Sequence, residues 1–177
     1  MVEDFRKTVE DAQGGFEKLV GSIPGYKGYK QRELRREADR LLRMHLAGRF
    51  DEQRRSLVGV MGQLTNAGRL SEVTALEQAT LKLQLLIDRL RTASYGYGGL
   101  FDAIKVEEEQ LDALYEFDNA LAGGVDRVAE LVGKLAVQAD QGQSTGTEAR
   151  ALVSVLQELN ETFNRRSEVL TGGQAAI

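Results

Sequence analysis

The chain has 177 residues, 42% of them hydrophobic and 28% charged, with a formal net charge of −4. That length and balance suit one globular domain able to bury a real core, and the negative charge argues against a general nucleic-acid binder. No cysteine is present, which excludes disulfides, thiolate metal sites and cysteine nucleophiles and fits a cytoplasmic protein.

The opening "VEDFRKTVEDAQ" holds no apolar run, so no secretory signal is expected there. No window of the chain approaches the ~20 apolar residues of a membrane span. Phe5, Val9, Ala12, Phe16, Leu19 and Ile23 alternate steps of four and three, which predicts a first, loosely attached helix up to residue 23. Gly14-Gly15 weakens it, and Pro24, the single proline, stops it with Gly25.

A second helical pattern runs from about Gln31 to Asn66. Leu34, Ala38, Leu41 and His45 form one stripe, and Phe50, Leu57, Met61 and Leu64 the next. Gly48 and Asp51 between them are read as a kink or a fresh N-cap, and Gly68 as a left-handed cap closing the helix. The third helix covers 70–93 with a seam of Val73, Leu76, Thr80, Leu83, Ile87 and Leu90. Leu81, Leu85 and Leu86 widen that seam, the pattern of a heavily buried helix.

The fourth helix is predicted from Asp102 to about Asp140. Ile104, Leu111, Leu114, Leu121, Val125, Val128, Val132 and Leu135 line its seam, Glu107 and Asp118 occupy seam positions, and Gly123-Gly124 interrupts it. Thr145 and Glu148 have capping-box spacing and open a fifth helix. Its stripe is Ala149, Leu152, Leu156, Leu159, Phe163 and Leu170, with Arg166 in register, ahead of a frayed tail at 171–177. The fold expected is all-α: an up-and-down antiparallel bundle of four to five helices in one domain over 1–177. An extended coiled-coil hairpin is the alternative, because the seams are heptad-like.

Two Tyr/Gly segments, "GYKGY" and "SYGYGG", flank the second and third helices, so a tight turn between those helices would bring Tyr26, Tyr29, Tyr95 and Tyr97 to one end. From Gly25 to Arg55 ten Lys/Arg face five Asp/Glu, and Arg32, Arg36, Arg40 and Arg43 share one helix face. Tyrosine and arginine are favoured at interface centres, so these eight residues form the candidate partner-binding set. The structural alternative makes the tyrosines plugs at the end of the core. In that reading the arginines pair with Glu107, Glu108, Glu109, Asp112, Glu116 and Asp118, at ~0–1 kcal/mol per surface pair.

Little in the chain points to chemistry. His45 is the only histidine and falls in an apolar stripe, where a core or boundary role is expected; a di-iron bundle would need a Glu-x-x-His on each of two helices. The carboxylates at Glu107 to Asp112 lack EF-hand spacing for a hard cation. Asp118 and Arg166 both hold seam positions, and buried charges require partners, so they are expected to bridge. The sequence reads as a non-enzymatic interaction or scaffold protein without a cofactor. Its partner is expected to be a protein, and self-association along a seam is open. Peripheral binding to anionic lipid through the arginine face and a small-ligand-binding bundle are the alternatives.

Overall fold

The structure, a computed structural model, describes the backbone at residues 27–93 and 108–171 and the side chains at 40, 42–93 and 117–168. All regular structure among the described residues is helical: α1 Lys27–Asn66, α2 Leu70–Thr92, α3 Glu108–Asp140 and α4 Gly146–Thr171, with no strand. The predicted helix up to residue 23 and the tail beyond Thr171 lie outside the described residues.

The chain divides into two compact units, Met1–Leu41 and Leu42–Ile177. In the first, residues 27–41 are helical and Arg40 is exposed. The second is a bundle-like assembly whose core draws Phe50, Leu57 and Leu64 from α1 and Leu76, Leu83, Leu86, Ile87 and Leu90 from α2. Leu121, Val128 and Leu135 of α3 and Leu152, Leu156, Leu159 and Phe163 of α4 complete it. Burial of each large side chain contributes about 1.5–3 kcal/mol.

Helix α4 packs against both α2 and α3. Along α3 and α4 the contacts run in opposite order, Asp118 meeting Arg166 and Arg127 meeting Glu158. Along α2 and α4 they run in the same order, Glu72 meeting Thr145 and Arg89 meeting Asn160. Gly68, at φ 73°, closes α1 as the spacing predicts. Arg69 N donates to Leu64 O at 2.9 Å and Gly68 N to Thr65 O at 3.0 Å, the paired bonds of a Schellman ending. Gly142, at φ 69°, closes α3 in the same way, with Gln143 N donating to Gln138 O at 2.8 Å.

Four expectations are corrected. First, α1 passes Gly48 unbroken, and Asp51 is no N-cap. One mid-helix glycine costs about 1 kcal/mol, which the burial of Ala47 and Phe50 beside it offsets. Its buried face runs through Arg43, Leu46, Ala47 and Phe50 rather than through His45, which is exposed. Second, Leu81 and Leu85 do not widen the α2 seam: they are 71% and 52% exposed, and Ala79 takes the buried position between Leu76 and Leu83. Third, α3 runs through Gly123-Gly124 without interruption, while its expected start at Asp102 lies outside the described residues. Gly124 is there for close approach, since a Cβ on it would stand 2.3 Å from Leu159 Cδ2. Fourth, the Thr145 hydroxyl does not serve a local capping box: it donates to Glu72 at 2.6 Å.

Candidate functional site

Of the eight predicted partner-binding residues, Tyr26, Tyr95 and Tyr97 lie outside the described residues. Tyr29, Arg32 and Arg36 lie within α1, which is already helical at Lys27, ahead of the Gln31 start that the periodicity indicates. Tyr29 therefore stands within the helix rather than in the bend before it. Arg40 is exposed, but Arg43 is only 6% exposed, and its Nη1 donates to Leu90 O at 3.1 Å. Spacing puts Arg40 and Arg43 on neighbouring positions of one face, yet Arg43 is spent on the last turn of α2, where carbonyls lack helical partners.

Among the described residues of the second unit, polar side chains gather at four places around the core. At one end of the core, Arg69 holds Glu72 with two bonds, Nε to Oε1 at 2.6 Å and Nη2 to Oε2 at 2.7 Å. Glu72 Oε2 also accepts the Thr145 amide at 2.9 Å and its hydroxyl at 2.6 Å, and Arg69 Nη2 reaches Gln143 O. Arg69 first, and then the Thr145 hydroxyl and amide, hold the Glu72 carboxyl down at a pKa of about 2. These bonds tie together the residues that follow the two Schellman endings.

The second cluster centres on Asp51, 7% exposed. Its Oδ1 accepts Arg54 Nε at 3.0 Å and its Oδ2 accepts Arg55 Nη2 at 2.6 Å, while Arg91 Nη2 of α2 stands 3.7 Å away. The bond to Arg55, followed by that to Arg54, keeps its pKa below the usual carboxylate value. Third, Arg89 lies over the Phe163 ring at 4.9 Å and donates to Asn160 Oδ1 at 3.2 Å and to Asn164 Oδ1. Asn160 Nδ2 in turn donates to Lys82 O at 3.1 Å. Burial lowers the Arg89 pKa. Fourth, Arg166 Nε donates to Asp118 Oδ1 at 2.8 Å, the bridge that the seam positions predict.

Sequence reading missed the first three clusters. Arg69 and Glu72 stand three apart at a helix start, a local signal, but Thr145 as their distant partner has none. Arg54 and Arg55 lie three and four residues after Asp51, which is the spacing for ion pairs on a helix; reading Asp51 as a cap hid it.

No group of three or more His, Cys, Asp or Glu stands placed to hold a metal ion among the described residues, and no described helix is long and apolar enough to cross a membrane. An open depression along α3 and α4 is lined by Glu130, Gly133, Lys134, Val137, Gln138 and Glu148. Lys134 Nζ and Glu130 Oε1 pair there at 2.6 Å. Comparison of the chain with protein-family models, with curated proteins and with solved structures finds no match.

Proposed function

We propose that this chain is a non-catalytic interaction or scaffold protein, built as an up-and-down antiparallel bundle of four to five helices. It presents its Tyr/Gly segments and the arginine face of α1 to a protein partner. The observation that carries the reading is how the buried polar groups are used. Arg43 bonds Leu90 O, Asp51 holds arginines, Thr145 bonds Glu72, Thr162 bonds Glu158 O and Arg166 bonds Asp118. Each of these five buried side chains has its partner within the protein, three of them on another helix, which is the economy of a scaffold rather than of a reaction centre. The opposite and equal contact orders along α4 support the alternating helix directions.

The test is joint substitution of Tyr29 and Tyr97 by alanine in the full chain, followed by affinity capture from native cells and circular dichroism. The reading expects partner capture to disappear while the helical signal stays. Loss of the helical signal would make the tyrosines core plugs and remove the proposed surface.

A further inference from the structure

The Asp51 cluster holds more positive charge than packing requires. Three guanidiniums, those of Arg54, Arg55 and Arg91, surround one carboxylate, so the cluster carries two surplus charges. A single arginine on α2 would suffice to register it against α1. Each guanidinium offers five N–H donors, and Asp51 takes one bond from Arg54 and one from Arg55, with Arg91 at ion-pair range. The Arg55 and Arg91 side chains remain 72% and 43% exposed. Asp51 itself is almost withdrawn from water, so the arginines are organised from beneath. The acidic neighbour Glu52 is drawn to Arg49 at 3.9 Å.

The flanks of the cluster also have the character of a contact surface. Met44 and Val58 lie seven residues before and after Asp51, two turns away on the same helix face, and both are about half exposed. Gly48 and Gly62 share that face, with open space where a side chain would stand. Arginine and methionine with apolar neighbours are enriched at interface centres, and bare backbone permits close approach.

We propose that Arg54, Arg55 and Arg91, organised by Asp51, form a docking site for a carboxylate-bearing helix or peptide of a protein partner, with Met44 and Val58 receiving its apolar side chains. The proposal rests on reading the chain as an interaction protein and names the chemistry of what it binds. Guanidinium recognises carboxylate in a planar two-bond fork, and three forks converging on one point suit a discrete acidic segment. A lipid surface is better met by charges spread along a helix, and the net charge of −4 repels an extended polyanion.

The probe is a fluorescein-labelled amphipathic peptide with glutamates along one helical stripe and leucines beside it; its glutamine counterpart is the control. Fluorescence anisotropy with the full chain at low ionic strength, about 20 mM, should show the glutamate peptide binding and the glutamine peptide not. The R54Q/R55Q/R91Q variant should weaken binding by about tenfold or more, as should raised salt, while R150Q, at an exposed arginine of α4, should leave it unchanged. Should the triple variant lose its helical signal, R91Q alone is read at the same salt, with a loss of about threefold or more expected. Failure of the glutamate peptide to bind, equal binding of both peptides, or unaltered affinity in the arginine variants would overturn the proposal. So would stronger binding of phosphatidylserine vesicles through the same arginines. Partner capture that survives loss of Tyr29 and Tyr97 but not of these arginines would sink the tyrosine surface and leave this one standing; the reverse pattern would do the opposite.

Discussion

Glu72 and Thr145, 73 residues apart, meet at one carboxylate oxygen, which accepts both the amide and the hydroxyl of Thr145. Thr145 O accepts the Ala149 amide at 2.9 Å, so Thr145 is where the hydrogen-bond ladder of α4 starts. An acid from α2 thereby supplies negative charge at the amino end of α4, where the helix dipole favours it. Removing that charge should be felt in both helices at once. E72Q is expected to destabilise the fold by about 1–3 kcal/mol, measured by urea unfolding at neutral pH, with faster amide exchange at Gly146–Ala149 than elsewhere in α4. Unchanged exchange there would show that the clasp does not anchor α4.

The same carboxyl sets a pH dependence. Its pKa falls from 4.5 to about 2 on folding, so the unfolded chain holds the proton more tightly than the folded one. The stabilisation is therefore complete above about pH 4.5, declines as the pH falls and is gone below about pH 2. The stability gap between the natural chain and E72Q should close over that window. A gap that stayed constant from pH 6 to about pH 2 would deny Glu72 the role.

Gly123 and Gly124 make opposite predictions from adjacent positions. Both lie within α3, but a Cβ at Gly123 meets nothing within 4 Å, while one at Gly124 falls 2.3 Å from Leu159 Cδ2 and 2.9 Å from its Cδ1. Leu159 is buried and cannot simply swing into solvent. G123A should stabilise by up to about 1 kcal/mol through helix propensity. G124A should destabilise by about 1–2 kcal/mol, because overpacking outweighs the same propensity gain. Thermal melts of the two variants give the answer, and equal shifts would mean that α3 and α4 do not approach as closely as described.

This pair also shows what the sequence carries and what it withholds. Seam positions spaced by three and four identified most of the cores of α2, α3 and α4, because a helix face is a local property of spacing. In α3 each described seam leucine and valine, from Leu121 to Leu135, is buried. Gly124 looked like an interruption because a glycine lowers helix propensity whatever its surroundings; that Leu159 fills the gap is a fact about another helix. Leu81 and Leu85 failed for the same reason. Leucine favours helices at any position, and only the neighbours decide which of a run of leucines faces inward. In α1 the charged residues misled: Arg43 and Asp51 lie in or beside the buried face, and discounting them moved the stripe onto His45. The eight residues of the expected partner surface were legible as a composition, but composition does not say that Arg43 folds inward to Leu90.

The Asp118–Arg166 bridge was foreseeable because each residue interrupts an apolar seam, and two opposite charges in facing seams have few other partners. Arg166 is almost fully buried, whereas Asp118 keeps 19% of its side chain exposed. R166M should cost about 2–4 kcal/mol, since it leaves the carboxylate without this partner. D118L/R166M removes both charges and is expected to recover most of the loss. A double variant as unstable as the sum of the singles would show the two residues acting independently.

Arg43 tests the arginine face itself. Its Nη1 satisfies Leu90 O, one of the last four carbonyls of α2 and so one with no amide partner inside the helix. R43A removes a charge-assisted bond and the buried alkyl stem together, and should destabilise by about 1–3 kcal/mol. R40A, at an exposed position, should stay within about 0.5 kcal/mol. R43K can supply the charge but not the planar donor geometry and is expected to fall between them. Urea unfolding of the three variants ranks them. If R43A and R40A prove equally mild, the bond to Leu90 O does not hold Arg43 to α2 and the residue stays in the surface that α1 offers. If R43A alone is costly, its guanidinium is committed to α2 and drops out of the surface that α1 offers to others.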